Sequence, residues 1–297
     1  MGFLSSIGRT FRRSALITQI TLRITFQQDP ELLLFPGITL LFVLGSGVGT
    51  YFATSAVADA AGLLPVQVPL IALAVAALLL PVGVVFATFC TTRTVQVRLH
   101  GGDASLWQSL GFGLRNLHRV LLWVVVSTGA FLVLGSLRSA MRKLAKNLGP
   151  LGQMLEGPVM WVLETAWRIS RLLVVPAMVY EGVGAVDGIK TSVSLIRDTW
   201  GQSLIRDLGF EAVFGAVKTV LVLLVLACVL LLPAGSALQA WALVLVGLGF
   251  AFAFVLEGML ASVFNAAMYH FATRREAGLG FSKDILRSAM RSKGAQA

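Results

Sequence analysis

Charged side chains are scarce in this sequence: Asp, Glu, Lys and Arg together make up 13% of 297 residues. Soluble domains carry about 25%. No soluble fold of this length has a core large enough to enclose a hydrophobic share of 57%. The shortage therefore excludes a soluble protein. Acidic residues are the scarcer sign, 14 against 24 basic ones. There are two cysteines, Cys90 and Cys228, each inside an apolar run, which excludes a disulfide framework and a thiolate metal site. The three histidines, His100, His118 and His270, match no metal-ligand spacing and read as solvated or interfacial side chains. No serine has a nominated His-Asp partnership. Gly188-Ile189-Lys190-Thr191 puts a residue between Gly and Lys, so a phosphate loop fails as well. Nothing implies a metal, a cofactor or a catalytic residue.

Long apolar runs are abundant instead, and the mean hydropathy is +0.84. The runs are continuous, whereas a membrane barrel would alternate apolar and polar residues, so the expected class is all-α. Six transmembrane segments are expected: Leu32 to Phe52, Val66 to Phe89 (with Pro81 inside), Val120 to Leu137, Gly157 to Tyr180, Leu208 to Leu232, and Leu238 to Tyr269. The fourth is unusual. It contains Glu164, Arg168 and Arg171, and its purely apolar part, Leu172 to Tyr180, is too short to cross a core about 30 Å thick. A crossing requires the charged half to be shielded by protein. Gly45 and Gly49 form a GxxxG pattern suited to close helix contact.

Between the apolar runs lie amphipathic stretches. Gly2 to Phe26 interleaves Arg9, Arg12 and Arg13 with Leu4, Ile7 and Phe11, and has no signal-peptide pattern. Ala104 to Leu114 has Asp103 as a candidate cap, and Ala185 to Trp200 follows a Glu-Gly corner. Trp107 and Trp200 suit headgroup anchoring. The third span continues into Arg138 to Lys146, and this continuation and the tail at residues 274–297 read as interfacial.

Each amphipathic stretch precedes a pair of spans. The chain is therefore expected to be a single membrane domain of three parallel hairpin repeats, residues 1–99, 100–180 and 181–273, followed by the basic tail. With six spans, 17 of the 24 Lys and Arg fall on the side bearing both termini. Positive-inside bias then predicts the cytoplasmic (inner) membrane with both termini cytoplasmic. Arg138, Arg142, Lys143 and Lys146 are the exception, lying on the other side. The net charge of +10 fits anionic headgroups, so membrane lipids and other membrane proteins are the expected partners and nucleic acid is not.

The intramembrane polar residues Glu164, Arg168, Arg171, Lys218, Glu257 and Asn265 are the candidate site. A lone charge in hydrocarbon costs about 2.5–3.5 kcal/mol on insertion scales, which favours turning these residues toward one another. Glu164, Arg168 and Arg171 share a helix face by spacing. Glu257 is expected to pair with Arg168, Arg171 or Lys218.

Asp29-Pro30-Glu31-Leu32-Leu33-Leu34-Phe35-Pro36 resembles the opening of an uncharacterised family of prokaryotic six-span membrane proteins. Pro176, Glu181-Gly182, Ser192, Trp200-Gly201 and Phe264-Asn265-Ala266-Ala267 extend the resemblance over nearly the whole chain. The Glu-Gly corner is also similar to the membrane domain attached to some glycerophosphodiester phosphodiesterases, whose soluble barrel this chain has no room for. The resemblance implies a fold type and no activity. Arg168 and Arg171 depart from its pattern. Three functions follow as expectations: a non-enzymatic scaffold or accessory subunit organising lipid or partner proteins, a carrier using the charged interior, or a membrane-embedded enzyme acting on lipid. The first has the most support.

Overall fold

A computed structural model describes residues 15, 18–23, 25, 30–58, 61–62, 67–147, 149–200, 211–233, 236–278, 281–283 and 286. Within them a 3-10 turn, Pro30–Leu33, leads into α1 (Leu34–Val57). Then follow α2 (Gln67–Leu99), α3 (Leu106–Arg115), α4 (Leu117–Asn147), α5 (Gly149–Ser170), α6 (Val174–Glu181), α7 (Ala185–Trp200), α8 (Glu211–Leu231) and α9 (Ala237–Arg274). No strand occurs among the described residues.

Five helical stretches are long and apolar enough to cross a membrane: Glu31–Val57, Gln67–Leu99, Leu117–Asn147, Val213–Leu231 and Trp241–Arg274. Their most apolar windows have mean hydropathies of 2.0 to 2.8, yet at most 24% of any window is buried inside the protein. Apolar side chains left outside the fold need a non-aqueous surround, and lipid supplies it. Hydroxyls on these helices bond back to their own backbone. Ser46, Thr50 and Thr54 donate to Val43, Ser46 and Thr50 carbonyls at 2.7–2.8 Å, so they enter hydrocarbon satisfied.

The fourth crossing differs from a plain span. α5 ends at Ser170 and α6 starts at Val174, and this segment is long and apolar enough to span a membrane only together with α7, across a bend of 113°. The helices long and apolar enough to span a membrane thus number five, or six with this bent pair taken as one. Arg171 lies in the break, so Glu164, Arg168 and Arg171 do not form one continuous helical face. Arg138 to Lys146 continues the third span as expected: α4 runs unbroken for 31 residues, about 46 Å at 1.5 Å each, past a 30 Å core. The extension pairs antiparallel with α5 through Arg138–Glu164 at 2.6 Å and Arg142–Glu156 at 3.6 Å.

Small residues set the α1–α2 contact. Thr39 Oγ1 donates to Phe35 O and lies 3.3 Å from Gly83 O. Gly47 approaches Ala76, while Gly45 and Gly49 of the GxxxG pattern face open space. Pro81 sits within α2, which stays one helix. Ser105, not Asp103, caps α3, accepting from Gln108 N at 3.3 Å. Asp103 instead pairs with Arg98 at 2.7 Å. On α3, Ser109 hydrogen-bonds Thr94 of α2 at 2.7 Å, and Gly113 fits against Cys90 and Phe86. Trp107 points outward, 79% exposed.

The core surrounds the last half of α9. Leu260, Val263, Ala266, Ala267, Met268 and Tyr269 are buried there with Leu32 and Phe35. The described residues of the N-terminal and C-terminal stretches pack against this core. Thr21 and Thr25 are fully buried, Ile20 and Leu22 pack against the cluster, Phe281 meets Phe264 at 5.8 Å, and Leu286 is fully buried. The remainder of Gly2 to Phe26, with Arg9, Arg12 and Arg13, and Ile285 and Met290 of the tail lie outside the described residues.

Candidate functional site

The Glu-Gly corner is built from a broken helix. Arg171 N still donates to Trp167 O in the α pattern, but Leu172 N and Val174 N turn to carbonyls three residues back, Ile169 and Arg171. Leu173 N is left over, and the fully buried Ser192 of α7 accepts it at 3.2 Å. A helix break inside a core is tolerable only with such a replacement acceptor. α6 then runs eight residues, with Pro176 buried, and stops at Gly182 with φ +69°, a left-handed cap. Only Gly adopts this without a Cβ penalty. The chain reverses onto its own helix because Gly188 offers no side chain: a Cβ there would lie 3.1 Å from Val174 and Met178. Ala185, Gly188, Ser192 and Ile196 form the buried face of α7. Lys190, Arg197, Val186 and Val193 are exposed.

Several helix ends converge at this corner. Tyr269 Oη of α9 donates a hydrogen bond to Glu181 Oε1. The Tyr269 ring packs on Tyr180 with centroids 4.9 Å apart, and Tyr180 packs on His100 at 6.3 Å. His100 in turn meets His270 edge-on at 5.6 Å. The Arg119 guanidinium, from the start of α4, lies over Gly182. His100 follows α2, Glu181 ends α6, and Tyr269 and His270 stand in the last turns of α9. The ends of α2, α6 and α9 and the start of α4 therefore share one end of the bundle, the end that also carries α3 and α7.

The intramembrane charges separate into pairs on two different hairpins. Lys218 of α8 pairs with Glu257 of α9, and its ammonium lies 5.6 Å from the Phe254 ring centroid. Glu164 pairs with Arg138, a partner that sequence reasoning missed. Arg168 is half-buried on α5, Arg171 is exposed in the break, and Asn265 is half-buried on α9. The two pairs thus join α4 to α5 and α8 to α9.

Among the motif positions, Glu31 is exposed in the 3-10 turn that begins at Pro30, and Pro36 is buried in α1. Pro36 lines a small, mainly apolar cavity with Val84, Ala87, Thr88, Thr91 and Met259. Glu181, Gly182 and Ser192 build the corner, and Trp200 ends α7. Asp29 and Gly201 lie outside the described residues. His270 is a correction: it is 3% exposed, packed under His100 rather than solvated. Its spacing from His100, 170 positions along the chain, carried no signal of the contact. No group of three or more His, Cys, Asp or Glu side chains able to hold a metal occurs among the described residues.

A family model described as a family of unknown function (DUF6159) matches residues 68–279. That range includes the corner, the paired charges and the aromatic cluster, and leaves out Asp29 to Pro36. No curated protein and no solved structure matches the chain.

Proposed function

We propose that this chain, which belongs to the DUF6159 family of unknown function, is an integral membrane scaffold or accessory subunit that organises lipid and partner proteins at one membrane face. The observation that carries the reading is the packing of the last half of α9. Leu260, Val263, Ala266 and Met268 have no exposed surface, so apolar side chains fill the middle of this end of the bundle. A scaffold needs that rigidity; a solute path needs polar lining there. α3 and α7 add outward-facing Trp107, Leu114, Val186 and Val193 beside Lys190 and Arg197. That mixture suits a headgroup boundary.

Three parallel hairpins, α1–α2, α4–α6 and α8–α9, each preceded by an amphipathic stretch, are the architecture in this reading. The shared end faces the cytoplasm of an inner membrane, as the positive-inside bias suggests. α6 and the corner support the plan, since they return the fourth segment to the end from which α4 starts.

The Lys218–Glu257 pair supports a second reading, a carrier of a small or lipidic solute, because paired charges inside a span mark many ion and substrate paths. The lipid-acting enzyme rests on resemblance alone. Thiol accessibility separates the first two. With Cys90 and Cys228 replaced by alanine, single cysteines are placed at Ala87, Gly258 and Ala266 in proteoliposomes. The scaffold predicts no labelling by a membrane-impermeant reagent from either side. Labelling of all three would establish a water-filled path and remove the scaffold reading.

A further inference from the structure

The hairpin of α4 and α5 carries more positive charge than its own carboxylates neutralise. From Val120 to Thr165 the acidic residues are Glu156 and Glu164, and the basic ones are Arg138, Arg142, Lys143 and Lys146. Arg138 takes Glu164 and Arg142 takes Glu156. Lys143 and Lys146 are left over, and both are exposed. The surplus lies at the end of the bundle opposite the corner, the end that is otherwise poor in basic residues.

Helix length sets the depth of these two lysines. Arg119 stands in the first turn of α4, at the corner, and no charged residue occurs from Val120 to Leu137. At 1.5 Å per residue, Lys143 lies about 36 Å and Lys146 about 40 Å along the helix from Arg119. The hydrocarbon core is about 30 Å thick, and the bilayer about 40–45 Å with its headgroups. With Arg119 in one headgroup layer, both lysines fall in the other. Trp161 of α5, 53% exposed, lies between the Arg138–Glu164 and Arg142–Glu156 pairs, just below the lysines. That is the position of an indole anchor at the lipid boundary.

The exposed side chains of this end divide by chemistry. Ser139, Lys143 and Lys146 follow one another along one face of α4, at spacings of four and three residues. Leu137 and Leu144, seven residues apart, are exposed on another, and Met154 of α5 is exposed as well. In water, or under a soluble acidic partner, Leu144, Met154 and Trp161 would keep apolar surface hydrated. Lipid covers that surface while the lysine ammonium groups reach up to the phosphates.

We propose that this end of the α4–α5 hairpin binds anionic phospholipid in the leaflet opposite the corner. Lys143 and Lys146 hold the headgroup phosphate, and Leu144 and Trp161 lie against the upper acyl chains. Two uncompensated ammonium groups select a net-negative headgroup, because the choline of a zwitterionic lipid repels them. The binding does not rest on the scaffold reading, which concerns the other face; a carrier would show it equally.

The test places a reporter beside the lysines. The full chain, with Cys90→Ala and Cys228→Ala, receives Ser139→Cys labelled with bimane and is reconstituted into phosphatidylcholine vesicles. Quenching is compared between phosphatidylglycerol and phosphatidylcholine probes that carry a nitroxide near the glycerol end of one acyl chain. Phosphatidylglycerol should be preferred roughly five-fold for each lysine. In the Lys143→Gln, Lys146→Gln variant the preference should disappear, with the melting temperature of the parent kept because both side chains are exposed. A second reporter at Leu231→Cys, exposed beside the uncharged Pro233 turn at the same end of the bundle, should show no preference. The proposal is overturned by equal quenching from both probes at Ser139, by a preference that survives in the double variant, or by a preference of the same size at Leu231.

Discussion

The two halves of α9 differ in what surrounds them, one open and one enclosed. The first half carries Trp241, Leu245 and Phe252 on open surface. The second half, from Met259 to Ala272, is enclosed by α1, α2, α6 and the terminal stretches. Both are apolar and both are helical. What separates them is neighbours: Ala266 and Ala267 lie in the core cluster with residues of other helices, while Trp241, Leu245 and Phe252 keep open surface. α8 itself has only 6% of its most apolar window buried. Hydrophobicity drives a segment into the membrane; which part of it becomes core depends on the helices that pack against it.

This contrast should appear first as a difference in sensitivity to truncation. Leu260→Ala, inside the enclosed half, is expected to destabilise by about 2–5 kcal/mol through lost contacts and a cavity. Leu231→Ala, on a residue 80% exposed on α8, should change stability by less than about 0.5 kcal/mol. Unfolding by sodium dodecyl sulfate in mixed micelles measures both. Equal losses would erase the distinction between the two regions.

The next effect comes from charge in the exposed half. Lys218→Met leaves Glu257 without its partner and is expected to cost about 2.5–3.5 kcal/mol, the insertion penalty of a lone charge. The double variant Lys218→Met with Glu257→Leu should recover most of that. A double variant as unstable as the single one would show that the pair is not mutual compensation.

Ser192→Ala sharpens the enclosed side. It deprives the buried Leu173 N of its acceptor and should destabilise by about 1–3 kcal/mol. The change should appear as faster hydrogen exchange confined to Leu173 and the start of α6. Gly182→Ala comes last, at about 1–2 kcal/mol for forcing a Cβ into the left-handed region. A drop in melting temperature in detergent reads it out. An unchanged melting temperature would mean that the corner does not hold that backbone conformation.

The corner shows how far sequence reasoning reached. Glu181-Gly182 followed by Ala185 to Trp200 was legible, because a Gly after an apolar run and a 3.6-residue period are local signals. Ser192 was visible as a motif position, but its task was not. It serves a backbone amide 19 residues away, which exists only because the helix breaks at Arg171. The Lys218–Glu257 pair was among the expected partners, since two charges in adjacent spans have few alternatives in hydrocarbon. Glu164 went to Arg138 instead, because α4 continues as one rigid helix past its apolar part. The helical continuation of the third span was legible in the spacing of Leu137, Met141 and Leu144; its pairing with the next helix was not.

By itself, the sequence determined that this is an all-helical protein with apolar segments long enough to span a membrane, and where most of those segments lie. Those properties depend on hydropathy and on backbone hydrogen bonding, both readable residue by residue. Tertiary structure alone decided that Tyr180, His100 and His270 meet, that Ile20, Leu22, Phe281 and Leu286 join the core around α9, and that the fourth segment breaks. Each depends on which helices touch, and contact is set by the fit of small and large side chains far apart in the chain.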